Sequence, residues 1–225
     1  MRSALGADAY AGVTLFRHWN VASVGQLREL TGALQAAART GPLLIATDQE
    51  GGQLNALGEG PTPFAGAMAL GAVADEDLAE RVAAATGREL RALGVNVDYA
   101  PVCDLATNPA NPALGIRCFG DDAQAVGRLA AATVRGLQSE GVAATVKHFP
   151  GLGDAPVDTH HELAVVSTSR DVLESRELVP FRAAIAAGAR LAMAGHIAVP
   201  ALTGSAAVPA SLSPAALRDV LRDEL

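Results

Sequence analysis

The run Lys147-His148-Phe149-Pro150-Gly151-Leu152-Gly153, followed by Asp158-Thr159-His160, places a cation, two imidazoles and a carboxylate on one strand end and the glycine-containing loop leaving it. A lysine beside a neutral imidazole donor can hold sugar hydroxyls, a carboxylate or a phosphate. The two side chains fall on alternate faces of an extended strand, so one points inward while the other lies at the rim. The Pro-Gly turn after them lets backbone approach a ligand. Asp158 stands two residues from His160, where a bend lets the carboxylate orient the ring and raise its basicity. Histidine titrates near neutrality, so this pair suits acid/base catalysis. The competing structural readings are that Lys147 simply pairs with an acidic neighbour, that His148 is a packed core histidine, and that residues 158–162 form a solvated polar loop.

Other candidates are more scattered. Asp48-Gln49-Glu50-Gly51-Gly52 ends an apolar run with two acids and a glycine pair, which suits hydroxyl binding on a tight turn or, alternatively, loop capping by Asp48. Arg117 lies in Gly115-Ile116-Arg117-Cys118-Phe119-Gly120, and His196 ends a later apolar run, a place where packing is as common as function. Neither GxxxxGK[ST] nor GxGxxG occurs, so phosphate-loop and dinucleotide sites are not expected. Asp154, Asp158, His160, His161 and His196 could surround a divalent ion, but there is no HExxH and the spacing fits no strong zinc pattern. No metal and no cofactor are expected.

The elements that must position these residues follow a strand and helix rhythm. Strands are expected at 13–16, 43–48, 95–102, 142–149 and 191–197, and helices at about 21–39, 75–93, 123–140, 170–187 and 214–225. Gly41, Gly94, Gly141 and Gly188 each follow a helix, where a left-handed cap favours glycine. The strands are apolar throughout, as in Leu43-Leu44-Ile45-Ala46, which suits a parallel sheet buried on both faces. Asp48, Asp104, Lys147, His148 and His196 all fall at strand C-terminal ends, the functional face of (β/α)₈ barrels and of doubly wound sheets alike. Five βα units are visible, whereas a barrel needs eight strands and about 250 residues.

Bulk composition narrows the classes further. Half of the 225 residues are apolar and 18% are charged, which reads as a packed globular chain. A formal charge of −7 without a Lys/Arg stripe disfavours nucleic acid and acidic lipid as partners. No apolar run approaches the roughly 20 residues of a membrane helix. The start, MRSALGADAYAGVTLF, lacks the pattern of a signal peptide, so a cytoplasmic chain is expected. Two cysteines, Cys103 and Cys118, are too few for a disulfide framework and are expected to be free.

Taken in order, several blocks resemble the bacterial β-N-acetylglucosaminidases (β-N-acetylhexosaminidases) of glycoside hydrolase family 3. They are Leu15-Phe16 through Gln26-Leu27, Thr47 to Gly52, Asn96 to Asp104, Arg117 to Gly120, the KHFPGLG segment with Asp158 and His160 at the family's spacing, and Ala194-Gly195-His196. The resemblance implies an α/β fold, a partial TIM-like (β/α)₈ barrel equivalent to units two to six, with residues 1–225 as one incomplete domain. It implies removal of terminal N-acetylglucosamine from glycans, notably cell-wall fragments as in peptidoglycan recycling, with retention of configuration. The partner expected is thus a small glycan containing N-acetylglucosamine. The family's general acid/base, a His held by an Asp, corresponds to His160 and Asp158, and its sugar-binding residues to Asp48, Arg117, Lys147 and His148. The family's nucleophile, an Asp on the next strand, has no counterpart in this sequence, so impaired hydrolysis is expected. The alternative is a non-catalytic sugar-binding or degenerate homologue. Gln53 and Ala56 stand where relatives commonly carry arginines, which would weaken contacts to an acidic aglycone.

Overall fold

A computed structural model describes residues 10–39 and 41–225. Among them, five short strands form one curled, all-parallel sheet with the curvature of a half-barrel. The strands are β1 (Gly12–Thr14), β2 (Leu44–Thr47), β3 (Val97–Asp98), β4 (Ala143–Phe149) and β5 (Leu191–Ala194), and they neighbour one another in chain order. Their register aligns Val13 with Ile45, Ala46 with Val97, Val97 with Ala143, and Thr145 with Leu191. Because side chains alternate along a strand, each one serves two layers. Ile45 packs outward with Leu27, Leu34 and Leu90 in the core beneath the helices. Ala46, Val97 and Ala143 form a small cluster on the concave side, where Leu44 remains 44% exposed along an open groove shared with Tyr99 and Leu191.

The helices behind the sheet start where short polar side chains cap them. In α1 (Val24–Ala37), α2 (Glu76–Ala92) and α3 (Ala123–Ser139), Ser23, Asp75 and Asp122 accept the N–H groups of Gln26, Leu78 and Ala125. The largest core lies between α2, α3, the fourth helical layer and the sheet, and includes the edge-to-face pair Phe149–Phe181 at 5.7 Å. Gly41, Gly94, Gly141 and Gly188 all take positive φ, as expected of chain reversal after a helix. No helix among the described residues is long and apolar enough to cross a membrane.

The expected elements are present, with five changes of detail. The strand expected at 95–102 pairs regularly only at Val97–Asp98. Pro101 has no N–H to give, and the link resumes as a single bridge between Val102 and Lys147. The strand expected at 191–197 stops at Ala194, and after Gly195-His196 a separate strand, Ile197–Ala198, pairs with Ala164–Val165. The helix expected at 170–187 contains a π-helical turn at Leu173–Glu177 before α4 (Leu178–Ala186), and the last helix is a π-helical segment, Ala215–Val220. Between β2 and α2, where no element was expected, lie a small hairpin (Gln49–Gly51 with Leu54–Asn55) and a helix, Ala67–Val73.

Candidate active site

The C-terminal ends of β1 to β5 open onto a cleft of ≈ 900 Å³, lined by Asp48, Arg117, Lys147, His148, His160 and His196 among others. That volume lies at the upper end of the usual range for small-molecule sites. Lys147 and His148 both reach this cleft, contrary to strict alternation along β4. The ladder with β5 pairs Lys147 with Met193 and Phe149 with Ala194, leaving His148 as the extra residue of a bulge. A bulge re-aims one side chain at the cost of one ladder position, and here the re-aimed side chain is an imidazole.

Lys147 is only 1% exposed, and its Nζ lies 2.5 Å from both Asp48 Oδ1 and Glu50 Oε1. Glu50 in turn receives two hydrogen bonds from Arg117, Nη2 to Oε1 at 2.7 Å and Nε to Oε2 at 2.8 Å, while Arg117 Nη1 donates to the Ala113 carbonyl. Two cations and two carboxylates thus form a nearly dry, charge-balanced cluster. Burial pushes the Glu50 carboxyl upward, but the Arg117 hydrogen bond and the Lys147 and Arg117 charges outweigh it and hold it below its ordinary value. Burial likewise acts against the Arg117 charge, and Glu50 more than compensates, raising the guanidinium further. Lys147 does pair with acidic neighbours, as the structural reading had it, and one of them, Asp48, lines the cleft.

His148 Nδ1 lies 2.7 Å from Asp104 Oδ2, and its backbone N–H donates to the same oxygen at 3.2 Å. The other Asp104 oxygen accepts the Leu152 N–H at 2.6 Å, so one fully buried carboxylate fixes both the ring and the loop after it. Asn111 Nδ2 ties down the Leu152 and Gly153 carbonyls, and Arg176 holds Asp154. Beyond Ala155 the loop rises into solvent. There Asp158 Oδ1 accepts from the His160 backbone N–H at 2.9 Å and lies 2.7 Å from its Nδ1. These two contacts hold the Asp158 carboxyl below its ordinary value. With Asp158 a carboxylate, Nδ1 carries the proton and Nε2 is the basic nitrogen. The His160 side chain is 79% exposed, so the ring is oriented by a single partner and otherwise free to meet a substrate.

All six candidate residues therefore belong to one region: Asp48, Arg117, Lys147, His148 and His160 line the cleft, and Asp158 orients His160. The sequence offered Glu50, with Asp48, for hydroxyl binding on a tight turn, and Asp104 only as an acid at a strand end; neither was among the expected sugar-binding residues. The two-residue spacing from Asp48 to Glu50 was the available signal for a shared face; the Asp104–His148 partnership, 44 positions apart, left none. His196 also reaches the cleft, with Nδ1 2.7 Å from Ser211 Oγ. Among the described residues no three His, Cys, Asp or Glu side chains gather as a metal site. Cys103 and Cys118 are free and buried, and burial raises both thiols.

A model of the "Glycosyl hydrolase family 3 N terminal domain" matches residues 1–225. The chain belongs to glycosyl hydrolase family 3. Within the family it is similar to a beta-hexosaminidase of Stenotrophomonas maltophilia (strain K279a), with 43% identity over 230 residues, covering 100% of this chain and 67% of that protein. Among solved structures it is similar to a family 3 beta-N-acetylglucosaminidase from Paenibacillus sp. str. FPU-7, with 44% identity and a TM-score of 0.92, covering 96% of this chain and 41% of that one. It is also similar to NagZ from Neisseria gonorrhoeae in complex with N-trifluoroacetyl-D-glucosamine, with 34% identity and a TM-score of 0.91, covering 99% of this chain and 66% of that one. This family 3 chain thus spans about two thirds of the Stenotrophomonas enzyme and less than half of the Paenibacillus one. The relatives are β-hexosaminidases, glycosidases that hydrolyse O-glycosyl bonds.

Proposed function

We propose that residues 1–225 act as one β-N-acetylhexosaminidase-type domain that binds a terminal N-acetylglucosamine of a glycan or cell-wall fragment. Asp48, Arg117, Lys147 and His148 hold the sugar, and His160, oriented by Asp158, is the acid/base. The observation that carries this reading is the exposed, carboxylate-held His160 ring on the same cleft as the buried Lys147 cluster. Charge-assisted hydrogen bonds from a preorganised lysine, arginine and carboxylate suit vicinal sugar hydroxyls. The Neisseria relative is described with a glucosamine derivative bound, which supports the same sugar class here.

In the retaining reaction a carboxylate attacks the anomeric carbon while His160 donates its proton to the departing glycosidic oxygen. Water then attacks the glycosyl intermediate and gives its proton back to His160. Among the described residues the only carboxylate lining the cleft is Asp48, and it is ion-paired to Lys147 at 2.5 Å. That pairing favours a second reading in parallel, sugar binding by this chain with little turnover. The test is a chromogenic N-acetylglucosaminide incubated with the 225-residue chain, beside calorimetric titration with N-acetylglucosamine. Saturable binding with hydrolysis several orders of magnitude below an ordinary glycosidase is expected, since loss of a nucleophile commonly costs about 10⁴-fold or more. Rapid turnover abolished by His160→Ala would place a nucleophile within these residues, and a folded chain that neither binds nor hydrolyses would refute the proposal.

A further inference from the structure

Asp98, the last residue of β3, is a polar residue in the driest part of the molecule, 1% exposed, and does not line the sugar cleft. Its Oδ1 accepts the backbone N–H of Gln49 at 2.9 Å. Gln49 is the residue between Asp48 and Glu50, so this bond fastens to the sheet the first position of the hairpin, flanked by the two carboxylates that meet Lys147. Asp98 also lines a second cavity, of ≈ 50 Å³, together with Gln49, Glu50, Asn55 and Arg117. Glu50 and Arg117 of the charge cluster thus also line this second cavity. Two buried acceptors among these residues have no protein partner, Asp98 Oδ2 and Gln49 Oε1. The Gln49 amide nitrogen is already committed to Asn55 Oδ1 at 3.1 Å.

We propose that Asp98 is a positioning residue for sugar binding: from beneath the hairpin it fixes Gln49, and through Gln49 the separation of Asp48 and Glu50 across Lys147. The inference rests on the reading of the cleft as a sugar site. The charge count says in which form it works. Asp48 and Glu50 are balanced by Lys147 and Arg117, and an ionised Asp98 would add a third buried carboxylate with no cation of its own. The groups acting on Asp98 agree. Burial is the largest influence and pushes its carboxyl up to about 8; the Gln49 hydrogen bond and Lys147 pull it down, and Asp48 and Glu50 push it up. At neutral pH Asp98 is therefore a neutral acid, with Oδ1 accepting from the Gln49 N–H and the proton on the otherwise unpartnered Oδ2. An asparagine has the same shape, keeps an oxygen for the Gln49 N–H, and replaces the carboxyl O–H donor by an N–H that does not ionise.

The test uses the 225-residue chain and its Asp98→Asn variant, each ¹⁵N-labelled, with two readouts. The first, without sugar, follows the Gln49 amide resonance between about pH 6.5 and 9.5, the range bracketing the raised carboxyl. The wild-type amide should titrate with an inflection near 8, and the variant amide should not. The second is the dissociation constant for N-acetylglucosamine at pH 7 and pH 9. One pH unit above the inflection about a tenth of Asp98 remains neutral, so wild-type affinity should fall about tenfold while the variant stays within about twofold. A flat wild-type amide, a variant that loses affinity in parallel with wild type, or a variant already weakened at pH 7 would overturn the proposal. If wild type binds no sugar at all, the sugar-site reading falls, and the Gln49 amide alone still decides whether Asp98 holds the hairpin in its neutral form.

Discussion

Glu50→Gln tests the charge cluster most sharply, because it removes one charge with almost no change of shape. Glu50 takes two hydrogen bonds from Arg117 and one ion pair from Lys147, and its side chain is 6% exposed. The cluster goes from neutral to a net charge of +1, with the Lys147 ammonium, 1% exposed, left to Asp48 alone. Removing one partner of a buried pair typically costs about 3–5 kcal/mol, and retention of Asp48 argues for the lower end, about 3 kcal/mol. With a urea slope of about 2–3 kcal/mol/M for a chain of this size, the midpoint should drop by about 1–1.5 M at pH 7. The pH dependence has a definite sign. The folded Glu50 carboxyl sits below its ordinary 4.5, so its contribution is complete above that value and is lost as pH falls through the lower folded value. Wild type and variant should therefore converge as urea unfolding, followed by circular dichroism, is repeated toward acid. A difference under about 0.5 kcal/mol at pH 7, or a gap as wide at pH 3 as at pH 7, would refute the reasoning.

Three other outcomes are expected. His160→Ala should leave the unfolding free energy unchanged within about 0.5 kcal/mol, since the side chain is 79% exposed and its ring is held by Asp158; a larger loss would show a packing role. Phe181→Ala removes a fully buried ring stacked edge-to-face on Phe149 and should cost about 3–5 kcal/mol in the same unfolding assay, a smaller loss indicating a core that collapses around the gap. Cys103 and Cys118, both fully buried with raised thiols, should resist an aromatic disulfide reagent at pH 8 in the folded chain and react in full once urea unfolds it.

Much of this site was legible because strand ends, loops and capping residues are local signals. The apolar runs ending in Asp48, Lys147 and His196 placed polar groups on one face of the sheet, and the short spacing from Asp158 to His160 produced a contact that needs no tertiary information. What escaped were features set by distant partners. The bulge that turns His148 into the cleft depends on register against Met193 and Ala194, which the sequence of β4 does not carry. Glu50 acquires its role from Arg117, 67 positions away, and Asp104 from His148, 44 positions away. The π-helical turn at Leu173–Glu177 likewise follows tertiary packing, since Glu177 is buried against Gly151 of the loop leaving β4. Asp98 read as one more residue of a strand until its depth and its hold on Gln49 were visible.

The central claim, that Asp48, Arg117, Lys147 and His148 form a site for N-acetylglucosamine, is tested most directly by titrating the ¹⁵N-labelled 225-residue chain with that sugar and mapping the resonances that move. Saturable shifts concentrated at Asp48, Glu50, Arg117, Lys147 and His148 are the predicted result. A folded chain whose spectrum does not respond, or whose responding residues lie away from the C-terminal ends of the strands, would contradict the account.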